Sequence, residues 1–175
     1  MTFSDQFAFR PTGFTEAAII SLLHIVTDLL RSNPYVVVVA LDFSKAFDTV
    51  RHSTLLQKAA ELDLLDHVYN WLVHFFEGHS HRTVYAGDTS STKTITASII
   101  QGSSIGPAAY LITSSDLKTL HPGNRIVKFA DDTYLIIPAS GVTTRSAEMD
   151  NIRDWAARNN LTLNMIKTTD TVIYD

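Results

Sequence analysis

Two short apolar runs, each leading into acidic residues, constrain this chain more than anything else in it. Val36-Val37-Val38-Val39-Ala40-Leu41 runs into Asp42, and Ile126-Val127-Lys128-Phe129-Ala130 runs into Asp131-Asp132. Both are rich in β-branched residues and too short for a helix of ordinary length, so both predict buried strands. Carboxylates at the ends of neighbouring buried strands converge, and they repel one another unless a cation sits between them. Three such groups aimed at one point suit a divalent-metal site of the kind that handles phosphates.

A chain of 175 residues is long enough to bury one proper core, and one domain is the natural count. The absence of cysteine excludes disulfide scaffolds, thiolate metal sites and cysteine nucleophiles. The longest strongly apolar stretch, Tyr35 to Leu41, is far too short to span a bilayer, so no membrane association is expected. The N-terminus has neither the basic start nor the apolar stretch of a signal peptide, which points to an intracellular setting. Net charge is −4 and the sequence pI is about 5.9. A self-sufficient nucleic-acid binder is usually basic, so a nucleic-acid function here requires grip from other segments.

The periodicity predicts a helix from Thr15, as N-cap, to Arg31, broken by Asn33-Pro34. A strand over Tyr35 to Phe43 follows, then helices at about Ser53 to Leu62 and Asp66 to Glu77. Alternating residues at 82–86 and 94–99 flank Gly87-Asp88-Thr89-Ser90 and predict a hairpin. Gln101-Gly102-Ser103-Ser104-Ile105-Gly106-Pro107 reads as a glycine-bounded loop entering a helix. Strands 125–130 and 133–137, separated by Asp131-Asp132, predict a tight hairpin with both carboxylates at its tip. A helix over about 144–158 and a last strand over 171–174 complete an α+β fold, helices packed on one face of a mostly antiparallel sheet.

Each motif also has an unremarkable reading. Asp42 can cap a turn and Phe47 can be core, while Asp48 suits a turn before the Ser53 helix. Adjacent acids at a hairpin tip are costly, and a plain solvated turn more often uses Asn-Gly or Asp-Gly, so Asp131-Asp132 is the sharper signal. The seven histidines, His79-Ser80-His81 and His74 among them, lack any metal-ligand spacing and read as surface residues. Trp71 and Trp155 read as core.

Taken in order, these blocks resemble the palm of a reverse transcriptase from non-LTR, LINE-type (jockey-like) retrotransposons. Residues 41–50 look like that family's motif A, 101–107 like motif B, 129–132 like the aromatic-Ala-Asp-Asp motif C, and 160–168 like motif D. Gln6-Phe7-Ala8-Phe9-Arg10-Pro11 is similar to the Gln-x-Gly-Phe-Arg-Pro block before the palm, with Ala8 in place of the glycine. Ser104 and Ala108-Ala109 replace bulkier apolar residues common around motif B. The resemblance implies one domain over 1–175, partial fingers and palm without a thumb. It also implies that Asp42 and Asp132 hold two Mg2+ ions, Mn2+ being the alternative, with Asp131 beside them and the Phe43 carbonyl assisting.

By the same resemblance Phe47 gates against a ribose 2′-hydroxyl. Gln101 and Gly102 lie along the incoming nucleotide and template, and Lys167 approaches the leaving phosphates. The implied partners are an RNA template, a DNA primer and a dNTP, in the nucleus or a cytoplasmic ribonucleoprotein. Two other readings stay open: an inactive retrotransposon relic that binds nucleic acid or a partner without turnover, and another palm-type enzyme such as a nucleotide cyclase.

Overall fold

Four consecutive valines have no polar side to offer water, so the strand that carries them needs cover on both faces. The computed structural model describes residues 3–11, 13–100 and 102–175. Its first half comprises α1 (Thr15–Leu30), β1 (Tyr35–Leu41), β2 (Phe43–Ser44), α2 (His52–Ala60) and α3 (Asp66–Phe76). Four two-residue strands follow: β3 (Ser80–His81), β4 (Val84–Tyr85), β5 (Asp88–Thr89) and β6 (Lys93–Thr94). The second half holds α4 (Gly106–Ser114), β7 (Arg125–Phe129), β8 (Asp132–Pro138), α5 (Arg145–Arg158), β9 (Thr162–Leu163) and β10 (Thr169–Tyr174).

The main sheet has the order β10-β1-β8-β7, with every pair antiparallel. Strand alternation sends Val36 and Val38 to one face, where Val127, Ile136 and the α1 residues Ala18 and Val26 join them. Val37, Val39 and Leu41 point the other way, into a larger core with Leu135, Ile137, Leu55, Tyr110 and Trp155. Burying a side chain of this size contributes about 1.5–3 kcal/mol, so both faces of β1 stabilise the fold. The α+β class and the antiparallel pairing match expectation. The single helical face does not: α1 covers one face and α2 to α5 lie on the other, because β1 is apolar on both sides.

Several local expectations shift for identifiable reasons. Phe14 occupies the N-cap position of α1, without a side-chain capping bond, and Thr15 is the first helical residue. The small hairpin closes on Ala86-Gly87, not on residues 87–90, with β4 paired to β5 and β3 to β6. Both turn residues have positive φ, 49° and 89°, as the type I′ form of a two-residue hairpin turn requires. Trp155 is buried and donates its indole N–H to Asp116, whereas Trp71 is 52% exposed and stacks on Phe75. Helix α3 buries Leu72 and Phe76, one turn apart, which leaves Trp71 on the outward side. Of the histidines, His52 is buried and bonds the Ser98 carbonyl, contrary to the surface expectation.

Candidate active site

The end of β1 and the start of β8, the two central strands, meet at one end of the sheet. Their register pairs Leu41 with Thr133, so Asp42 stands one step beyond the last pair, opposite Asp132. The β7–β8 turn comprises Ala130 and Asp131, since Phe129 already pairs with Asp132. The tip therefore lies one residue earlier than the spacing suggests, and Asp132 opens the strand. Ala130 takes φ 56°, a left-handed conformation that residues with a Cβ adopt only at a cost.

Asp131 and Asp42 lie close enough for their charges to act on Asp132. The Asp132 carboxyl is held above its ordinary value, first by partial desolvation, then by the charges of Asp131 and Asp42. Beneath them Tyr110 of α4, 1% exposed, has its hydroxyl pKa pushed upward by burial and then by Asp131 and Asp132. Sequence reasoning missed Tyr110; its one signal was an aromatic one turn into the helix after the glycine loop.

Strand β2 pairs with β9, Phe43 opposite Leu163, and this carries the following turn to the acidic centre. Asn164 donates its backbone N–H to the Asp42 carbonyl at 2.8 Å, while its Oδ1 accepts from the N–H groups of Ile166 and Lys167. Lys167 is thus an exposed cation on a turn bonded directly to Asp42. The Phe43 ring is buried 5.6 Å from Trp155, which leaves only its backbone carbonyl as an oxygen that could meet an ion.

Phe47 is half-buried and stacks on Tyr110 at 4.7 Å. Its other side lines an open cleft of about 490 Å³ together with Phe9, Ile100, Gly102, Ser103, Gly106 and Pro107. Gly102 has φ 81° and nothing within 4 Å of where a Cβ would stand, so the glycine serves the backbone bend and keeps the cleft open. Two of the four expected substrate contacts, Phe47 and Gly102, therefore line one cleft, and Phe9 joins them from the N-terminal segment. Gln101 lies outside the described residues.

The donor set at the acidic centre is all hard oxygen, which suits Mg2+ or Mn2+ and not a thiolate or imidazole metal. A cation there would relieve the repulsion that raises the Asp132 carboxyl, so the residues fit such an ion. Among the described residues no set of three or more His, Asp or Glu side chains is already gathered to hold a metal by itself. Further oxygens, from water or a phosphate, would have to complete the coordination, as is usual for Mg2+.

The class of protein is thus an α+β fold built on an antiparallel sheet with acids at the ends of its two central strands. The reverse transcriptase (RNA-dependent DNA polymerase) family model matches residues 2–172, and the chain belongs to that family. It is 28% identical to the RNA-directed DNA polymerase from mobile element jockey of Drosophila melanogaster, over 93% of this chain and 19% of that protein. The probable RNA-directed DNA polymerase from transposon X-element of the same fly is 26% identical, over 97% of this chain and 20% of the relative. The chain thus spans about a fifth of the length of these curated relatives. Among solved structures it is similar to telomerase from Candida tropicalis in complex with a fragment of telomeric RNA, with TM-score 0.75 and 14% identity. That match covers 96% of this chain and 30% of the telomerase. Telomerase from Candida albicans matches with TM-score 0.66 at 14% identity, over 90% of this chain and 30% of that one.

Proposed function

We propose that this chain is the palm, with part of the fingers, of an RNA-directed DNA polymerase that adds dNTPs to a DNA primer on an RNA template. The observation that carries the reading is the placing of Asp42 opposite Asp132, with Asp131 next to it in the turn, at the ends of the two central strands; the cleft lined by Phe47 and Gly102 supports it. Asp42 and Asp132 would hold two Mg2+ ions, or Mn2+, with the Phe43 carbonyl assisting. When bound, such ions neutralise charge on the attacking and leaving oxygens of an in-line phosphoryl transfer. Asp131 adds negative potential at the same point. Phe47, backed by Tyr110, presents a bulky edge to the sugar of the incoming nucleotide, and Gly102 leaves room for the base or template. Lys167, on the turn bonded to Asp42, supplies positive charge near the leaving pyrophosphate. We place the protein inside the cell, in the nucleus or a cytoplasmic ribonucleoprotein.

A non-catalytic relic is the second reading, favoured by the absence of a preassembled three-ligand set among the described residues. One experiment separates the two. The corresponding segment of the jockey polymerase is replaced by this chain, and Mg2+-dependent extension of a DNA primer on an RNA template is measured. Extension that disappears with Asp132→Asn supports the polymerase; an inactive chimaera beside an active parent supports the relic.

A further inference from the structure

Gln6, in the N-terminal segment, reaches the turn of the acidic hairpin through the polar atoms of its own side chain. It is 1% exposed, although an amide is costly to bury without partners. Its Oε1 accepts from the backbone N–H of Ala130 at 3.0 Å and from that of Ala8 at 3.0 Å. Its Nε2 donates to the Ala130 carbonyl at 3.3 Å. One side-chain amide therefore grips both polar groups of a single residue, 124 positions away in the chain. That residue is the one with φ 56°, at the first position of the turn, where glycine is usual.

The segment that carries Gln6 is itself anchored on both sides. Phe7 donates its N–H to the Lys128 carbonyl at 2.8 Å, and Lys128 donates its own to Asp5 at 2.7 Å, so residues 5–7 extend the sheet edge beside β7. Asp5 also pairs with Lys118 at 2.6 Å and Lys128 at 3.3 Å. Arg10 folds back onto the carbonyls of Phe3 and Gln6. A residue present only to fill space would need none of this fixation.

We propose that Gln6 is a positioning residue: its amide clamps Ala130 in the left-handed conformation and so aims Asp131 and Asp132 at Asp42. The inference rests on the polymerase reading for the use of that aim, while the clamp itself stands on geometry. Without the amide, Ala130 relaxes toward negative φ, the peptide entering Asp131 rotates, and the carboxylates swing out of register with the end of β1.

The test uses the 175-residue chain with Mn2+ as probe, binding followed by electron paramagnetic resonance, and thermal melting in parallel. Gln6→Met keeps the shape and removes the polar grip. It should weaken Mn2+ binding by about 10-fold or more, the usual scale for a residue that orients a metal ligand. Ala130→Gly removes the conformational penalty, so Gln6→Met in that background should recover most of the lost affinity. Unchanged binding in a folded Gln6→Met chain overturns the proposal, as does an equal loss whichever residue stands at 130. If Gln6→Met does not fold, amide hydrogen exchange on the wild-type chain decides: the clamp requires Ala130 N–H to be protected, and exchange at the rate of an open turn overturns it. A wild-type chain that binds no Mn2+, or one whose binding survives Asp132→Asn, overturns the polymerase reading instead, and Ala130 exchange still reports on the clamp.

Discussion

At the residue scale the acidic centre is held at a cost in stability. Asp132 has its carboxyl raised by desolvation and by two neighbouring acids, so its folded state holds a proton more tightly than its unfolded state. Stability therefore falls as pH rises from the unfolded value through the folded one, and at neutral pH the charge is unfavourable. Asp132→Asn should melt at the same or a slightly higher denaturant concentration than wild type while abolishing primer extension in the jockey chimaera. Retained extension would remove Asp132 from the ligand set. Phe47 poses a different contrast. It is half-buried on Tyr110, so Phe47→Ala should cost about 2 kcal/mol, below the roughly 3–5 of a fully buried phenylalanine. If its exposed edge gates the sugar, the variant should also incorporate ribonucleotides alongside deoxynucleotides. A lowered melting point with unchanged sugar discrimination would make Phe47 a packing residue only.

At the element scale the structure turns on how residues 3–11 dock against β7. Lys128 lies at that junction, 1% exposed, its ammonium donating to the carbonyls of Ser114 and Leu117 and facing Asp5. Burial outweighs these partners and pulls its pKa from 10.5 down to about 8. Between those values the folded chain carries a neutral amine while the unfolded chain is still protonated. The unfolded state then binds more protons, so this group makes stability rise with pH across the window. Measured against Lys128→Met, wild type should gain up to roughly 3 kcal/mol between pH 8 and pH 10.5 in denaturant melts. A flat difference would mean that the amine keeps its proton and that Asp5 outweighs desolvation. Gly13 makes the same docking possible from the other end, since a Cβ there would stand 1.8 Å from the Phe7 carbonyl oxygen.

At the scale of the whole molecule, charge and fold pull in different directions. The chain belongs to a family of RNA-dependent DNA polymerases, yet its net charge is −4. Counterion release needs lysines and arginines set against phosphates, and a chain with this balance has few to spare. Fluorescence titration with a primer–template should give a Kd on the order of 10⁻⁵ M or weaker at physiological salt, weakening further as salt rises. Tight binding that ignores salt would show that the 175 residues carry a complete nucleic-acid grip.

The sequence alone determined the elements that neighbours along the chain can set. The apolar run into Asp42, the run into Asp131-Asp132 and the glycine and proline before α4 are local patterns, and local patterns set strand, hairpin and helix entry before any tertiary contact forms. Other features depended on partners distant in sequence. Whether Trp71 or Trp155 was core depended on which side of its helix met the sheet, and both sat at apolar helical positions. The cover on the second face of β1 came from α1, a helix whose apolar stripe said nothing about which face it would take. The turn moved by one residue, from Asp131-Asp132 to Ala130-Asp131, because register is a property of two strands together and not of either alone. Gln6 reads in the sequence only as part of a block. Its grip on Ala130 exists because the sheet brings position 6 to position 130, and hydrogen bonds across such a distance in the chain can be decided only once the fold has closed.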